Sequence, residues 1–217
     1  MVFEVTVLGS SSALPTSKRY PSAHVVNSHE RIFLIDCGEG TQMQLRRNSV
    51  GIGKINNIFI SHTHGDHIFG LDGLISTMNL LGRKLPLNLY APAGFTQFFI
   101  SHRSDFDINL NFEINYIGLE GKDPKKIFED KYTTVTSFPL KHRVPTFGFL
   151  FREKLKERNV RKELIKEYSL TLKNIVALKK GEDIVLDNGK PVANELLTLD
   201  PPEPRSFAYV SDTEYLP

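Results

Sequence analysis

Ser61-His62-Thr63-His64-Gly65-Asp66-His67 is the stretch on which the fold of this chain turns. Three histidines and an aspartate fall within positions 62 to 67. Imidazole and carboxylate together form the ligand set of zinc and similar ions. The stretch follows Ile55 to Ile60, INNIFI, which reads as a strand buried in a sandwich. It precedes Ile68 to Leu81, where Leu71, Leu74, Ile75, Met78 and Leu81 recur at helical spacing. A His-x-His pair at a strand end turns both rings to one side, because side chains repeat every two residues. Gly65 lets the chain turn so that Asp66 and His67 reach a neighbouring point. One loop then serves two metal positions. A merely histidine-rich polar turn is the competing reading. Four ligand-type residues at a strand–helix junction argue against it.

On the N-terminal side the pattern is β-rich. Phe3 to Leu8 reads as a strand, and Ser22 to Val26 with Arg31 to Ile35 as a hairpin about Asn27-Ser28-His29-Glu30. Asp36 to Gly40 is a loop, and Thr41 to Arg47 a short helix. On the C-terminal side come a strand at Leu87 to Tyr90, a helix at Gly94 to Ile100 and strands at Phe112 to Ile117, Thr133 to Phe138 and Phe147 to Phe151. Phe207 to Val210 resumes a core-like strand. The succession is neither a regular βαβ series nor all-β. Two mixed β-sheets with outer helices fit it best.

The chain has 217 residues, 40% of them hydrophobic and 24% charged, which excludes a disordered chain, a collagen-like fibre and a coiled coil. No run of about 18 apolar residues suggests a membrane span. The start, MVFEVTVLG, does not read as a signal peptide, and Cys37 is the single cysteine, so the cytoplasm is the expected compartment. The net charge of +2 is too balanced to argue for nucleic acid by itself. Charge is uneven, however. Residues 152–183 hold ten Lys/Arg and six Asp/Glu, a net +4. That segment reads as an inserted, solvated basic arm on a domain spanning 1–217. Asp187-Asn188-Gly189-Lys190 is a turn signal, and Pro201-Pro202-Glu203-Pro204 a stiff connector.

His62-Thr63-His64-Gly65-Asp66-His67 resembles the signature of the metallo-β-lactamase superfamily. Longer matches resemble the ribonuclease Z family within it, the tRNA 3′-processing endonucleases. They comprise Leu8-Gly9, Leu14-Pro15-Thr16 with Arg19, Phe33 through Gln42 (FLIDCGEGTQ), and Ile58 through Leu71 (IFISHTHGDHIFGL). Leu140-Lys141-His142-Arg143-Val144-Pro145 and Tyr209-Val210-Ser211-Asp212-Thr213 complete the series. The resemblance runs over nearly the whole chain in the family's order.

The resemblance implies an αββα fold and two zinc ions per subunit. It implies that His62, His64 and His142 bind one ion, that Asp66 and His67 bind the second, and that Asp212 bridges both. Taken alone, His142 reads as an ordinary strand-end residue and Asp212 as a turn cap. Asp66 is the implied catalytic carboxylate, orienting the attacking oxygen and accepting its proton. Asp36 orients the metal loop without touching metal. Cys37 is a small buried hydrophobe, and His24, His29 and His102 are surface or packing residues. The implied reaction frees a tRNA 3′-hydroxyl and a trailer with a 5′-phosphate. The implied assembly is a homodimer in which the 152–183 arm clamps precursor tRNA.

One departure concerns the arm. Lys179-Lys180-Gly181 keeps the family's turn, whereas the Gly-Pro element before it is absent. The loop Leu14 to Arg19 reads equally as a plain connector or as an RNA contact near the cleavage point. Two other readings stand beside the endonuclease. One is a small-substrate hydrolase of the same fold, arylsulfatase-like or a cyclic phosphodiesterase. The other is an inactive tRNA-binding protein. No histidine follows His142, although the family carries a further histidine ligand and a leaving-group histidine after the Asp212-type strand. The chain is therefore expected to be a part of a longer protein, short by roughly 80–100 residues. It is expected to hold a near-complete first metal site, a weakened second one and exposed apolar surface, and to cleave tRNA slowly as it stands.

Overall fold

The computed structural model describes residues 2–14, 16–105 and 109–215. Pro15 of the Leu14–Arg19 loop and the terminal Leu216-Pro217 lie outside the described residues. Two compact units form: one runs to Arg152 and resumes at Ser206, and the other is Glu153–Arg205.

In the first unit, β1 (Phe3–Gly9), β2 (Ala23–Ser28), β3 (Arg31–Ile35), β4 (Ile55–Phe59), β5 (Leu87–Pro92) and β6 (Ile114–Leu119) make one sheet in sequence order. β1, β2 and β3 pair antiparallel, and β3 to β6 pair parallel. The β2–β3 turn is tighter than the four residues expected. His29 and Glu30 both take left-handed conformations, φ 53° and 64°, as a two-residue hairpin turn requires. Asn57, Asn88 and Asn115 occupy matching positions on β4, β5 and β6. Their side-chain amides bond in series at 2.9 Å and 2.9 Å, which holds the parallel register.

β7 (Lys125–Glu129), β8 (Thr133–Leu140) and β9 (Thr146–Glu153) belong to a second sheet. The short strands β10 (Asn159–Val160), β11 (Ile184–Val185), β12 (Pro191–Val192) and β13 (Thr198–Leu199) follow in the other unit. β14 (Ser206–Tyr209) then completes the second sheet, in the order β14-β9-β8-β7.

Both faces of the first sheet are covered, which is why β3 and β4 read as continuous apolar runs rather than alternating ones. Val26, Phe33, Ile35 and Phe59 meet Val135, Phe147, Phe149 and Phe151 of the second sheet. Phe59 stacks on Tyr90 at 4.5 Å and meets Phe151 edge-on at 5.4 Å. Full burial of each such ring stabilises by about 1.5–3 kcal/mol. On the opposite face, Val25, Leu34, Ile58 and Leu89 pack with residues of α1 (Thr41–Arg47), α3 (Leu71–Leu80) and α4 (Ala93–Asp105). The layers are helix, sheet, sheet. Among the described residues of this unit no helix follows β6.

The helix expected over Ile68 to Leu81 is divided. α2 (Gly65–Ile68) is a single turn, and α3 begins at Leu71. The break has a cause. The Gly70 N–H donates to the Cys37 carbonyl at 2.8 Å instead of continuing the helical ladder. A Cβ at Gly70 would lie 2.0 Å from the Gly38 carbonyl oxygen, so only glycine allows this approach.

Cys37 is fully buried in the helix-side core. Burial pushes its thiol from 9.0 up to about 12. Above pH 9 the unfolded chain releases a proton that the folded chain keeps. Stability should therefore fall as pH rises from about 9 toward 12, by up to about 1.4 kcal/mol per pH unit. Urea unfolding at pH 8 and 10 checks this. The extra fall should vanish in Cys37→Ala, and a thiol reagent should label Cys37 only in denaturant.

The second unit has its own small core of Leu170, Leu178, Ile184, Val192 and Leu197. α5 (Lys162–Glu167), α6 (Leu172–Lys179) and α7 (Asn194–Leu197) carry it with the pairs β10–β13 and β11–β12. Thr171 and Asn174 form a reciprocal capping box at the start of α6. The charge shift bounded the arm at 152–183, but the compact unit runs on to Arg205, because Ile184, Val192 and Leu197 fill its core. The basic excess lies in its first half. Residues 153–180 hold nine Lys/Arg and four Asp/Glu, and 181–205 hold two and six. At its base, the buried Glu153 carboxylate accepts from the Arg205 backbone N–H at 2.9 Å and from its Nε and Nη2, both at 2.8 Å.

Candidate metal centre

The sequence-named histidines converge at one end of the two sheets. β4 ends at Phe59, and the chain continues through the buried Ile60, Ser61 and His62 to His64, the residue before α2. Backbone bonds fasten this loop to the one after β3. The Asp36 N–H donates to the Phe59 carbonyl, and the Cys37 N–H to the His67 carbonyl, both at 2.8 Å. The Phe147 N–H of β9 donates to the Ser61 carbonyl at 2.9 Å. His142 follows β8, and Asp212 follows β14. Their loops are joined by Glu214 N–H to Lys141 carbonyl, 2.7 Å, and by the Lys141–Glu214 ion pair, 2.8 Å.

One ligand atom from each of His62, His64, His142 and Asp212 lies within 4.8 Å of the others. His62 Nε2 is 2.9 Å from His64 Nδ1. Asp212 Oδ2 is 3.9 Å from Nε2 of both His62 and His142. Asp66 and His67 are neighbours of this group. His67 Nε2 stands 3.6 Å from Asp66 Oδ2, and the His67 ring centroid is 4.0 Å from that of His62.

Asp36 organises the cluster from behind. Its backbone is left-handed, φ 55°, a conformation aspartate tolerates. The fully buried carboxylate accepts the Ser61 N–H at 2.7 Å, the Ser61 hydroxyl at 2.9 Å, the Tyr209 hydroxyl at 2.7 Å and His67 Nδ1–H at 2.7 Å. The Ser61 hydroxyl, with its proton on Asp36, accepts from His62 Nδ1–H at 3.0 Å. His62 and His67 are thereby fixed in tautomers whose Nε2 lone pairs are free. Arg143 Nε–H donates to His64 Nε2 at 3.1 Å, so His64 keeps its proton on Nδ1, facing His62 Nε2. A cation taken up between these two nitrogens displaces that proton. Binding is therefore weaker in acid.

The protonation preferences agree. Burial, then the neighbouring His67, lowers His62 to about 4. Burial and the Arg143 charge also lower His64. Burial opposes a charged His67, but the Asp36 hydrogen bond and charge outweigh it and raise its pKa. Burial and the charge of Asp36 raise Tyr209, which keeps the hydroxyl protonated as a donor. His142 Nε2 is buried and has no hydrogen-bond partner, as befits a nitrogen meant for a metal. The donor set therefore fits a divalent ion.

A cleft of about 870 Å³ opens over the cluster. Ser10, Ser11, Ser12, His24, Phe69 and Arg143 line it with the ligand residues. His24 does pack, 5.0 Å from the Tyr209 ring, yet it also faces this cleft. His29 stacks on Tyr132, and His102 bonds Asp72 at 3.1 Å. Arg143, Ser61 and Tyr209 were not singled out in the sequence. They contact partners 79, 150 and 173 positions away, which no local pattern reveals.

Two sheets, a helix layer and a His-x-His-x-Asp-His loop at the strand ends define a metallo-β-lactamase fold. The metallo-β-lactamase fold protein YhfI of Bacillus subtilis shares it with a TM-score of 0.56, at 19% identity over 70% of this chain and 58% of that one. Human tRNase Z, short form, gives a TM-score of 0.61 at 34% identity, covering 68% of this chain and 64% of that one. The sequence profile of the Anti-Pycsar protein Apyc1 matches residues 3–103. Ribonuclease Z of Bacteroides thetaiotaomicron is 42% identical over 99% of this chain, which spans 68% of that relative's length. The chain belongs to the ribonuclease Z family.

Proposed function

We propose that this chain carries the phosphodiesterase centre of a tRNA 3′-processing endonuclease, which cuts precursor tRNA to leave a tRNA 3′-hydroxyl and a 5′-phosphate on the trailer. The observation that carries this reading is the convergence of His62, His64, His142 and Asp212 in a member of the ribonuclease Z family. These four residues would hold one zinc ion, and Asp66 and His67, with Asp212 bridging, a second. Zinc at such positions makes water acidic enough to attack at neutral pH and offsets phosphoryl charge. Asp66, its side chain 12% exposed beside His67, takes the proton of the attacking water. The water oxygen bonds to phosphorus, the bond from phosphorus to the 3′ oxygen breaks, and that oxygen leaves with a proton. Arg143 presents its remaining N–H donors to a phosphate oxygen from the cleft wall.

The basic half of the second unit suits the tRNA backbone. Lys162, Lys166 and Lys173 are exposed there. Replacing all three with glutamine should weaken precursor tRNA binding and lower the salt dependence of log K by roughly 2–3, at unchanged metal content. A homodimer is the proposed assembly, testable by sedimentation. The lone cysteine suits a reducing compartment, which supports the cytoplasm as the place of work.

The decisive test offers the protein a precursor tRNA with a 3′ trailer and, separately, a chromogenic phosphodiester. Cleavage at the tRNA 3′ end, stopped by chelation and restored by zinc, is expected. Turnover of the small diester alone would point to a small-substrate hydrolase. Absence of transition metal after dialysis would sink the enzymatic reading.

A further inference from the structure

Phe69 stands in the lining of the cleft with 74% of its surface exposed. Its position is fixed from two sides. Its N–H donates to the Gly65 carbonyl at 2.9 Å, and its ring lies against Gly65, where a Cβ would fall 2.1 Å from Cε2 and 2.6 Å from Cζ. The next residue, Gly70, is bonded to the Cys37 carbonyl and closely apposed to Gly38. The ring therefore cannot retreat into the core, and its exposed face adds nothing to folding. Gly65 and Asp66 of the metal loop lie directly beneath and beside it, so the ring borders the reacting centre. Across the same cleft Arg143 supplies charge for a phosphate. An apolar π face beside a phosphate-binding centre matches one ligand chemistry, an unpaired nucleobase joined to the phosphate being cut. Such stacking contributes about 1–3 kcal/mol per base and tolerates any base.

We propose that Phe69 is a positioning residue whose ring stacks on the nucleobase adjoining the scissile phosphate and so registers that phosphate over the histidine cluster. This rests on the endonuclease reading above. It predicts that base identity at that position matters little and that the presence of a base matters much.

The test pairs a protein change with a substrate change. Phe69→Ala should lower kcat/KM for precursor tRNA about ten- to a hundredfold, with metal content and thermal stability unchanged, and Phe69→Trp should restore most of it. A precursor with an abasic nucleotide, placed in turn on each side of the cleavage point, should lose a similar factor with the unaltered protein. Combining Phe69→Ala with the abasic site on the stacked side should cost no more than either change alone. A 5-iodouridine on that side should photo-crosslink to Phe69. Additive losses on both sides, with no crosslink from either, would overturn the role of Phe69 while leaving the endonuclease reading intact. Failure of the metal-loaded protein to cleave precursor tRNA at all would overturn both.

Discussion

Replacing His64 with alanine should strip the centre of metal while leaving the fold in place. His64 is only partly buried, sits ahead of α2 rather than in a core, and contributes no side-chain cap to that helix. The two cores contain neither His64 nor a residue that depends on it. Its Nδ1 nevertheless lies 2.9 Å from His62 Nε2, inside the cluster with His142 and Asp212. Without it, three donors remain, and one of them, Asp212, is 53% exposed and loosely held. Cleavage of precursor tRNA should fall by on the order of 10³-fold or more, since loss of even one stabilising group at a reacting centre costs 10²–10³. Metal analysis after dialysis should show at least one equivalent lost. The melting temperature in chelator should stay within about 2 °C of the unaltered protein, because no buried contact is removed. Full metal content with full activity would exclude His64 from the centre.

Asp36→Ala should act on stability as much as on the site. The carboxylate is fully buried and answers four donors from three separate parts of the chain. Its removal leaves the Ser61 N–H, the Ser61 hydroxyl, the Tyr209 hydroxyl and His67 Nδ1–H without their acceptor. Breaking one side of a buried charged network destabilises by about 3–5 kcal/mol. Urea unfolding of the metal-free proteins measures this directly. Metal affinity should drop as well, by about 10–100-fold, because His62 and His67 lose the bonds that set their tautomers. Asp36→Asn keeps one carbonyl acceptor and the side-chain shape. It should recover a good part of the stability but not the orientation of both histidines. A change below about 1 kcal/mol in Asp36→Ala would show that the network is dispensable.

Much of this was legible in the sequence. The apolar runs Arg31–Ile35 and Ile55–Phe59 announce strands covered on both faces, and the spacing of Leu71, Leu74, Ile75 and Met78 announces a helix. Histidines two apart at a strand end announce a shared ligand direction. Other features lay outside local patterns. Lys125–Glu129 is a strand rich in charge, because it is the edge of the second sheet, where lysine guards against further pairing. The separate turn of α2 depends on a bond to Cys37 that no helical periodicity contains. The reach of the second unit to Arg205 depends on a small core assembled after the charge shift has ended. Arg143 and Tyr209 gain their meaning only once the chain has folded back across 79 and 173 positions.

The Glu153–Arg205 clasp carries a consequence beyond stability. Backbone pairing of Glu153 with Arg205 at 2.9 Å brings the points of departure and return side by side. Arg152 already pairs with Ser206 in the second sheet. A short turn in place of 53 residues would therefore close the same strand pair with little strain, since closure entropy changes slowly with loop length. The segment behaves as an exchangeable cartridge. It can be lengthened, re-charged or traded without redrawing the scaffold that breaks the bond. Descent can thus alter how tightly such a protein grips its RNA while leaving its chemistry inherited whole.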